Sequence, residues 1–220
     1  IGTNEVRALW EQLFEGALQG KPIKRIIVTH FHPDHLGLAG WLSRRFGAPV
    51  LMSQAEYQQA KWLHGASAQE RGDAQQRFFA AHGIEVPDNS NENVYRTRVP
   101  ELPDSYQRLQ DQQTIAIGAN DWQVLVRRGH SPEHLCLYSP QLDVLVAGDQ
   151  ILPRISPNIS VSFLNPEADP LADYLRSLRQ LLSLLHQPQL QKRLRKNQQI
   201  KNLRRVLRKA RLPFVSILSV

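Results

Sequence analysis

The sequence predicts an α+β fold in a single domain, and three observations carry that reading. In two segments, near the start of the chain and after residue 169, apolar residues recur at spacings of three and four, the period of a helix with one buried face. Short runs of β-branched and aromatic residues, bounded by glycine, proline and asparagine, read as strands, and two of them flank a hairpin turn. A chain of 220 residues with 41% hydrophobic content is long enough for one sizeable core.

Taken in order, Thr3 is placed to cap a helix whose positions Val6, Leu9, Trp10, Leu13, Phe14 and Ala17 form one buried face, ending near Gly20. Lys21-Pro22 breaks it, and Ile23 to Thr29 follows as a strand. Leu36 to Phe46 reads as a short helix closed by Gly47, with N-terminal amides that favour anionic groups beside the preceding turn. The run from Pro49 to Met52 is the next strand. Ser53-Gln54-Ala55-Glu56 and Ser67-Ala68-Gln69-Glu70 both fit the capping box, so residues 53 to 82 are expected to form two helices parted near Gly65. They serve either as a lid on the substrate side or as outer-layer packing. Residues 86 to 110, polar and rich in proline, read as an irregular connection.

Further on, Thr114 to Ile117 and Trp122 to Val126 form a hairpin around Gly118-Ala119-Asn120-Asp121. Its second strand ends at Gly129-His130-Ser131-Pro132-Glu133-His134. Leu135 to Tyr138 and Leu142 to Ala147 are two more strands, the latter delivering Gly148-Asp149. Asp169-Pro170 opens the last helix in the preferred cap and first-turn arrangement, with Leu171, Tyr174, Leu175, Leu178, Leu181 and Leu182 on one face.

The chemistry concentrates in Thr29-His30-Phe31-His32-Pro33-Asp34-His35-Leu36-Gly37. His30 and His32 are two apart, so in extended backbone both rings point to one side and can grip one ion. Pro33 ends the strand, leaving Asp34 and His35 free to reach a second. Imidazole and carboxylate suit zinc, iron or manganese. For this composition a chance occurrence of the pattern is expected about once in two thousand such chains. The alternative, a cluster of ordinary core histidines, would need many hydrogen-bond partners in one place.

This run resembles the signature of the metallo-β-lactamase-fold hydrolases, a superfamily that includes glyoxalase II, lactonases, class B β-lactamases and some RNA-processing nucleases. The resemblance covers about residues 1 to 185. It implies a four-layer αββα sandwich and a centre of two divalent ions, zinc foremost with iron or manganese as alternatives. Gly129-His130-Ser131-Pro132-Glu133-His134 and Ala147-Gly148-Asp149 resemble the third and fourth metal-binding motifs of the family. By that resemblance His130 joins His30 and His32 on the first ion and Asp149 bridges both. His134 is expected either to support the site or its substrate side, or to be an ordinary surface histidine. Arg154 follows on the rim, as a clamp for a substrate carboxylate or as a solvated loop residue.

The expected reaction is hydrolysis of an ester, thioester or related bond of a small molecule, most like the glyoxalase-II branch. Two ions would hold a bridging water whose pKa falls from about 16 toward about 7, supplying hydroxide at neutral pH. Asp34 would bind metal and also orient the nucleophile or take its proton. Two other classes stay open, a nuclease or RNA-binding protein of the same fold and a non-catalytic fragment.

The chain also departs from the family. Family members carry strands before the first helix and, after the last one, a Gly-His-Gly turn with a further histidine. Neither is found here, so a partial record of the family domain is expected, spanning residues 1 to 185. His186 comes too early, lacks the glycines and is given no ligand role. Residues 186 to 220 hold 10 of the 27 Lys and Arg residues and no acid, leaving 17 basic against 20 acidic residues in the body. That tail reads as a frame-shifted end, a basic helix for RNA or another acidic surface, or a solvated terminal helix. His64, His82 and the four tryptophans are expected in packing or surface roles, and Cys136 as a structural thiol. A single cysteine fits a reducing compartment such as the cytoplasm, and no apolar run approaches the ~18 residues of a membrane span.

Overall fold

A computed structural model of the chain describes residues 1–85, 93–152 and 154–185. They form two compact units, residues 1–110 with 161–168, and residues 111–160 with the segment from 169. Each holds one sheet with helices, the mixed α+β class that the sequence predicts. The basic tail and His186 lie outside the described residues. Among the described residues no helix is long and apolar enough to cross a membrane.

The first unit opens with α1 (Asn4–Glu15), capped by the Thr3 hydroxyl, which accepts the Val6 N–H at 3.4 Å. Its buried stripe is narrower than expected. Phe14 is buried and Val6 and Trp10 are half-buried, while Leu9 and Leu13 are 57% and 44% exposed. The three inward residues are four apart, a single ridge packed against α3, so one residue per turn finds apolar partners.

The expected strand from Ile23 to Thr29 shrinks to β1 (Ile26–Ile27), which pairs in parallel with β2 (Val50–Met52). One further bond, Val28 N–H to the Leu51 carbonyl, ends the ladder before the histidines begin. The helix expected from Leu36 to Phe46 divides into α2 (Pro33–Leu36) and α3 (Ala39–Phe46). The division falls at Gly37, where a Cβ would lie 2.7 Å from the Gly2 nitrogen and 2.8 Å from the Arg98 carbonyl oxygen and would collide with the Pro33 carbonyl. Only glycine lets those three backbones meet. At four residues α2 is too short for the helix-dipole effect expected of this segment. Gly47 closes α3 in the left-handed conformation, φ 60°, as expected.

The two helices of residues 53–82 are α4 (Gln54–Gly65) and α5 (Ala68–Ala81), parted at the predicted place. Ser67 and Glu70 form a full capping box. Ser53 and Glu56 do not: the Ser53 side chain makes no cap bond, and Glu56 is fully buried and turned to a different partner. The irregular connection contains a one-turn helix α6 (Val94–Arg98) and the edge strand β3 (Gln107–Arg108), parallel to β2. Val28, Phe31, Leu36, Met52, Ala60 and Val99 form this unit's main core.

The second unit is an antiparallel meander of β4 (Thr114–Ile117), β5 (Asn120–Arg127), β6 (His134–Ser139) and β7 (Val144–Val146), followed by a single 3-10 turn at Gly148–Gln150. The hairpin falls where expected, with Gly118 at φ 63° opening a two-residue turn. The last helix, α7 (Pro170–Leu185), is capped by Asp169, whose carboxylate accepts the Ala172 N–H at 2.9 Å. Tyr174, Leu178 and Leu181 bury against Leu125, Cys136 and Ala147. Leu171, expected on that face, is 58% exposed, and the polar Ser177 is buried on it instead.

Candidate metal centre

In the first unit the backbone leaves the sheet at Val28 and turns into α2 over four residues, carrying three histidines into one cluster. His30 is fully buried. Its ring centroid lies 4.7 Å from that of His32, nearly perpendicular, and 4.1 Å from that of His35. Ligand-type nitrogens of His30 and His32, and of His30 and His35, approach within 4.8 Å. The Asp34 carboxylate, 63% exposed, reaches to 3.6 Å from His35 Nε2. The Thr29 hydroxyl lies 3.0 Å from His30 Nδ1 and 3.3 Å from His35 Nδ1, so one hydroxyl orients both rings and turns their Nε2 atoms away from it. Three imidazoles this close, with a carboxylate at the rim, fit a divalent ion. A core of neutral histidines would have been spread out to meet separate partners.

The rings do not converge for the predicted reason. Alternation along a strand requires a strand, and the ladder stops before Thr29. His32 is instead the N-cap residue of α2, in extended conformation with φ −60° and ψ 146°, and Pro33 takes the first helical position. A short loop and a cap replace the pleat.

The second unit presents His130 and Asp149 from the ends of β5 and β7. His130 Nδ1 lies 2.9 Å from the Asn158 carbonyl oxygen, which can only accept, so Nδ1 is the donor of that bond. The ring's Nε2 is 3.6 Å from Asp149 Oδ2. His134 is fully buried, which removes the surface alternative. Its Nε2 accepts the Asp149 backbone N–H at 3.1 Å, so it holds the turn that carries the carboxylate. Arg154 is exposed in the same unit. Cys136 is fully buried, and burial pushes its thiol up to about 12 against the opposing pull of Arg127, as suits a structural residue.

Sequence reasoning missed the residues that hold these two candidate ligands. The Ser177 hydroxyl, from α7, accepts the Arg128 N–H at 2.8 Å and donates to the Arg128 carbonyl at 3.0 Å. Gln150, fully buried beside Asp149, donates to the same carbonyl at 3.2 Å, and the Tyr174 hydroxyl donates to the Gln150 carbonyl at 3.3 Å. Gly129 sits at φ 114° with its α-carbon against Tyr174, where any Cβ would collide. Only the glycine left a signal in the sequence. A serine on a leucine-rich helix face reads as an interruption until its partner is seen.

Comparison with known proteins places the chain in a family. The family model of the metallo-beta-lactamase superfamily matches residues 2–190. A beta-lactamase domain protein from Burkholderia ambifaria is 40% identical in its crystal structure, with a TM-score of 0.69 over 82% of this chain and 52% of that one. The "Probable metallo-hydrolase YqjP" of Bacillus subtilis (strain 168) is 26% identical over 195 residues, 81% of this chain and 56% of that protein. The crystal structure of TTHA1623 in a di-iron-bound form is 25% identical, with a TM-score of 0.54 over 83% of this chain and 73% of that one. The chain spans about half the length of the curated relatives it matches.

Proposed function

The chain belongs to the metallo-beta-lactamase superfamily, and from that membership we propose a metal-dependent hydrolase with a dinuclear, zinc-type centre that cleaves an ester, thioester or related bond of a small molecule. The single observation carrying the reading is the packing of His30, His32 and His35 around one another beside Asp34, within one compact unit. In the proposed ligand set His30, His32 and His130 would hold the first ion, Asp34 and His35 the second, and Asp149 would serve both. Two resemblances support two ions and hydrolysis: one relative's structure is described as di-iron-bound and another relative is named as a metallo-hydrolase. The domain carrying this chemistry is taken as residues 1 to 185, and the glyoxalase-II branch remains the best match to the motifs quoted above.

When bound, such ions bring a water's pKa to about 7 and polarise the carbonyl or phosphoryl oxygen under attack. The chain's own groups supply the rest. Asp34, exposed and next to His35, orients the attacking water and takes its proton. His134 holds the Asp149 turn in place from behind. The exposed Arg154 guanidinium receives a carboxylate on the substrate.

Metal analysis of the purified chain, with turnover of a panel of small esters and thioesters, tests the reading. Near two ions per chain, with a loss of about 100-fold or more in kcat for Asp34→Asn, is the expected result. Zero or one ion without turnover overturns it. The separation of charge favours a second reading, an RNA-binding role for residues 186–220 beside the hydrolytic one.

A further inference from the structure

We propose that Glu56 and Tyr95 are positioning residues for the first metal ion, acting together as a clamp on the Phe31 peptide between the two ligands His30 and His32. The inference rests on the ligand role given to those histidines above.

The paired strand β1 ends at Ile27, with one further bond from the Val28 N–H to the Leu51 carbonyl, so residues 29 to 32 run on beyond the assigned strand. Yet His30 and His32 hold their rings in edge-to-face contact. Two side chains outside the sheet hold the peptide between them. Phe31 donates its N–H to Glu56 Oε2 at 2.8 Å, and its carbonyl accepts from the Tyr95 hydroxyl at 2.7 Å. The two partners stand on different helices, α4 and α6, 25 and 64 residues away in the sequence. With both polar groups of Phe31 held and its ring buried, rotation of the backbone on either side is restrained, and with it the positions from which the flanking imidazoles project. A metal site works only within about 0.5 Å and 10–20° of its productive geometry, so bonds that fix the peptide between two ligands bear directly on binding.

Glu56 is what makes this more than loop packing. A carboxylate with no exposed surface is costly to keep unless strong hydrogen bonds compensate it. The Ser53 side chain makes no cap bond on α4, and Glu56 Oε2 accepts from a peptide 25 residues away. Burial and the nearby Glu56 charge both raise the Tyr95 pKa, which keeps its hydroxyl protonated as the donor the Phe31 carbonyl requires.

The test uses the full chain, stripped of metal and titrated with zinc against a chromophoric chelator, and with cobalt(II) to read the ligand field. Tyr95→Phe removes the donor and is expected to weaken zinc about 10-fold or more and to shift the cobalt bands. Glu56→Leu, which removes the acceptor, should weaken zinc at least as much, whereas Glu56→Gln keeps a carbonyl oxygen facing Phe31 and should stay within about threefold of wild type. A merely structural role would lower the melting temperature of the metal-free protein and leave the affinity and cobalt spectrum of the folded chain unchanged. His30→Ala is the reference. If it loses zinc while Tyr95→Phe binds with wild-type affinity and spectrum, the clamp is overturned and the ligand set stands. If His30→Ala also binds normally, the ligand set itself has failed. Should Glu56→Leu not fold, Tyr95→Phe against Glu56→Gln decides.

Discussion

Cys136 is fully buried between Arg127 on β5 and the Ala147 carbonyl, and its thiol is held at about 12, chiefly by burial. A thiol whose pKa is raised on folding favours the native state while it stays protonated. That contribution is present below the ordinary thiol value of about 8.5 and is lost as pH rises from there toward about 12. Unfolding midpoints measured from pH 8 to 11 should therefore decline more in wild type than in Cys136→Ala, and a thiol reagent at pH 8 should label the native chain only as fast as it opens. Fast labelling of the folded protein would contradict the burial described. The sequence made this residue legible because a lone cysteine inside an apolar strand has few other roles. It made Glu56 illegible because the same four residues satisfy a capping box on paper, and only packing decides which way a glutamate turns.

At the scale of elements, α7 supports the turns that carry the second unit's candidate ligands. Its register places Ser177 against Arg128, two residues before His130, and Tyr174 against both Gly129 and the Gln150 carbonyl. Ser177→Ala removes the Arg128 N–H's acceptor in a part-buried place while Gln150 still donates to the Arg128 carbonyl, which costs about 1 kcal/mol. The expected result is a lower denaturant midpoint at an unchanged m-value, together with weaker zinc binding than the stability loss explains. A variant that loses stability but binds zinc normally would limit α7 to packing. Helix positions and the hairpin were readable from periodicity, capping and turn residues, since those signals are local. The exposed sides of α1 and α7 were not, because an apolar residue at helical spacing is buried only if a neighbouring element covers it, as Leu9, Leu13 and Leu171 show. The division between α2 and α3 followed from a close approach of distant backbones at Gly37, which spacing cannot reveal.

At the scale of the whole molecule, charge is separated along the chain: residues 186–220 carry 10 basic residues and no acid, while the body is mildly acidic. If that segment binds RNA, affinity should fall linearly with log salt at a slope of about −0.7 per phosphate neutralised, and deletion of residues 186–220 should abolish it while leaving ester and thioester turnover intact. Binding that survives the deletion would remove the second reading. The sequence by itself determined the family, the α+β class and the candidate metal-ligand residues, because ligand chemistry resides in residue types at short spacings and survives any rearrangement of what surrounds them. Only the tertiary structure decided what aims those residues. Thr29 between two rings, Glu56 and Tyr95 on the Phe31 peptide, and Ser177 and His134 behind the second unit's ligands are joined by hydrogen bonds. All but the Thr29 contacts reach between separate elements, and a hydrogen bond depends on distance in space, which residue order leaves open.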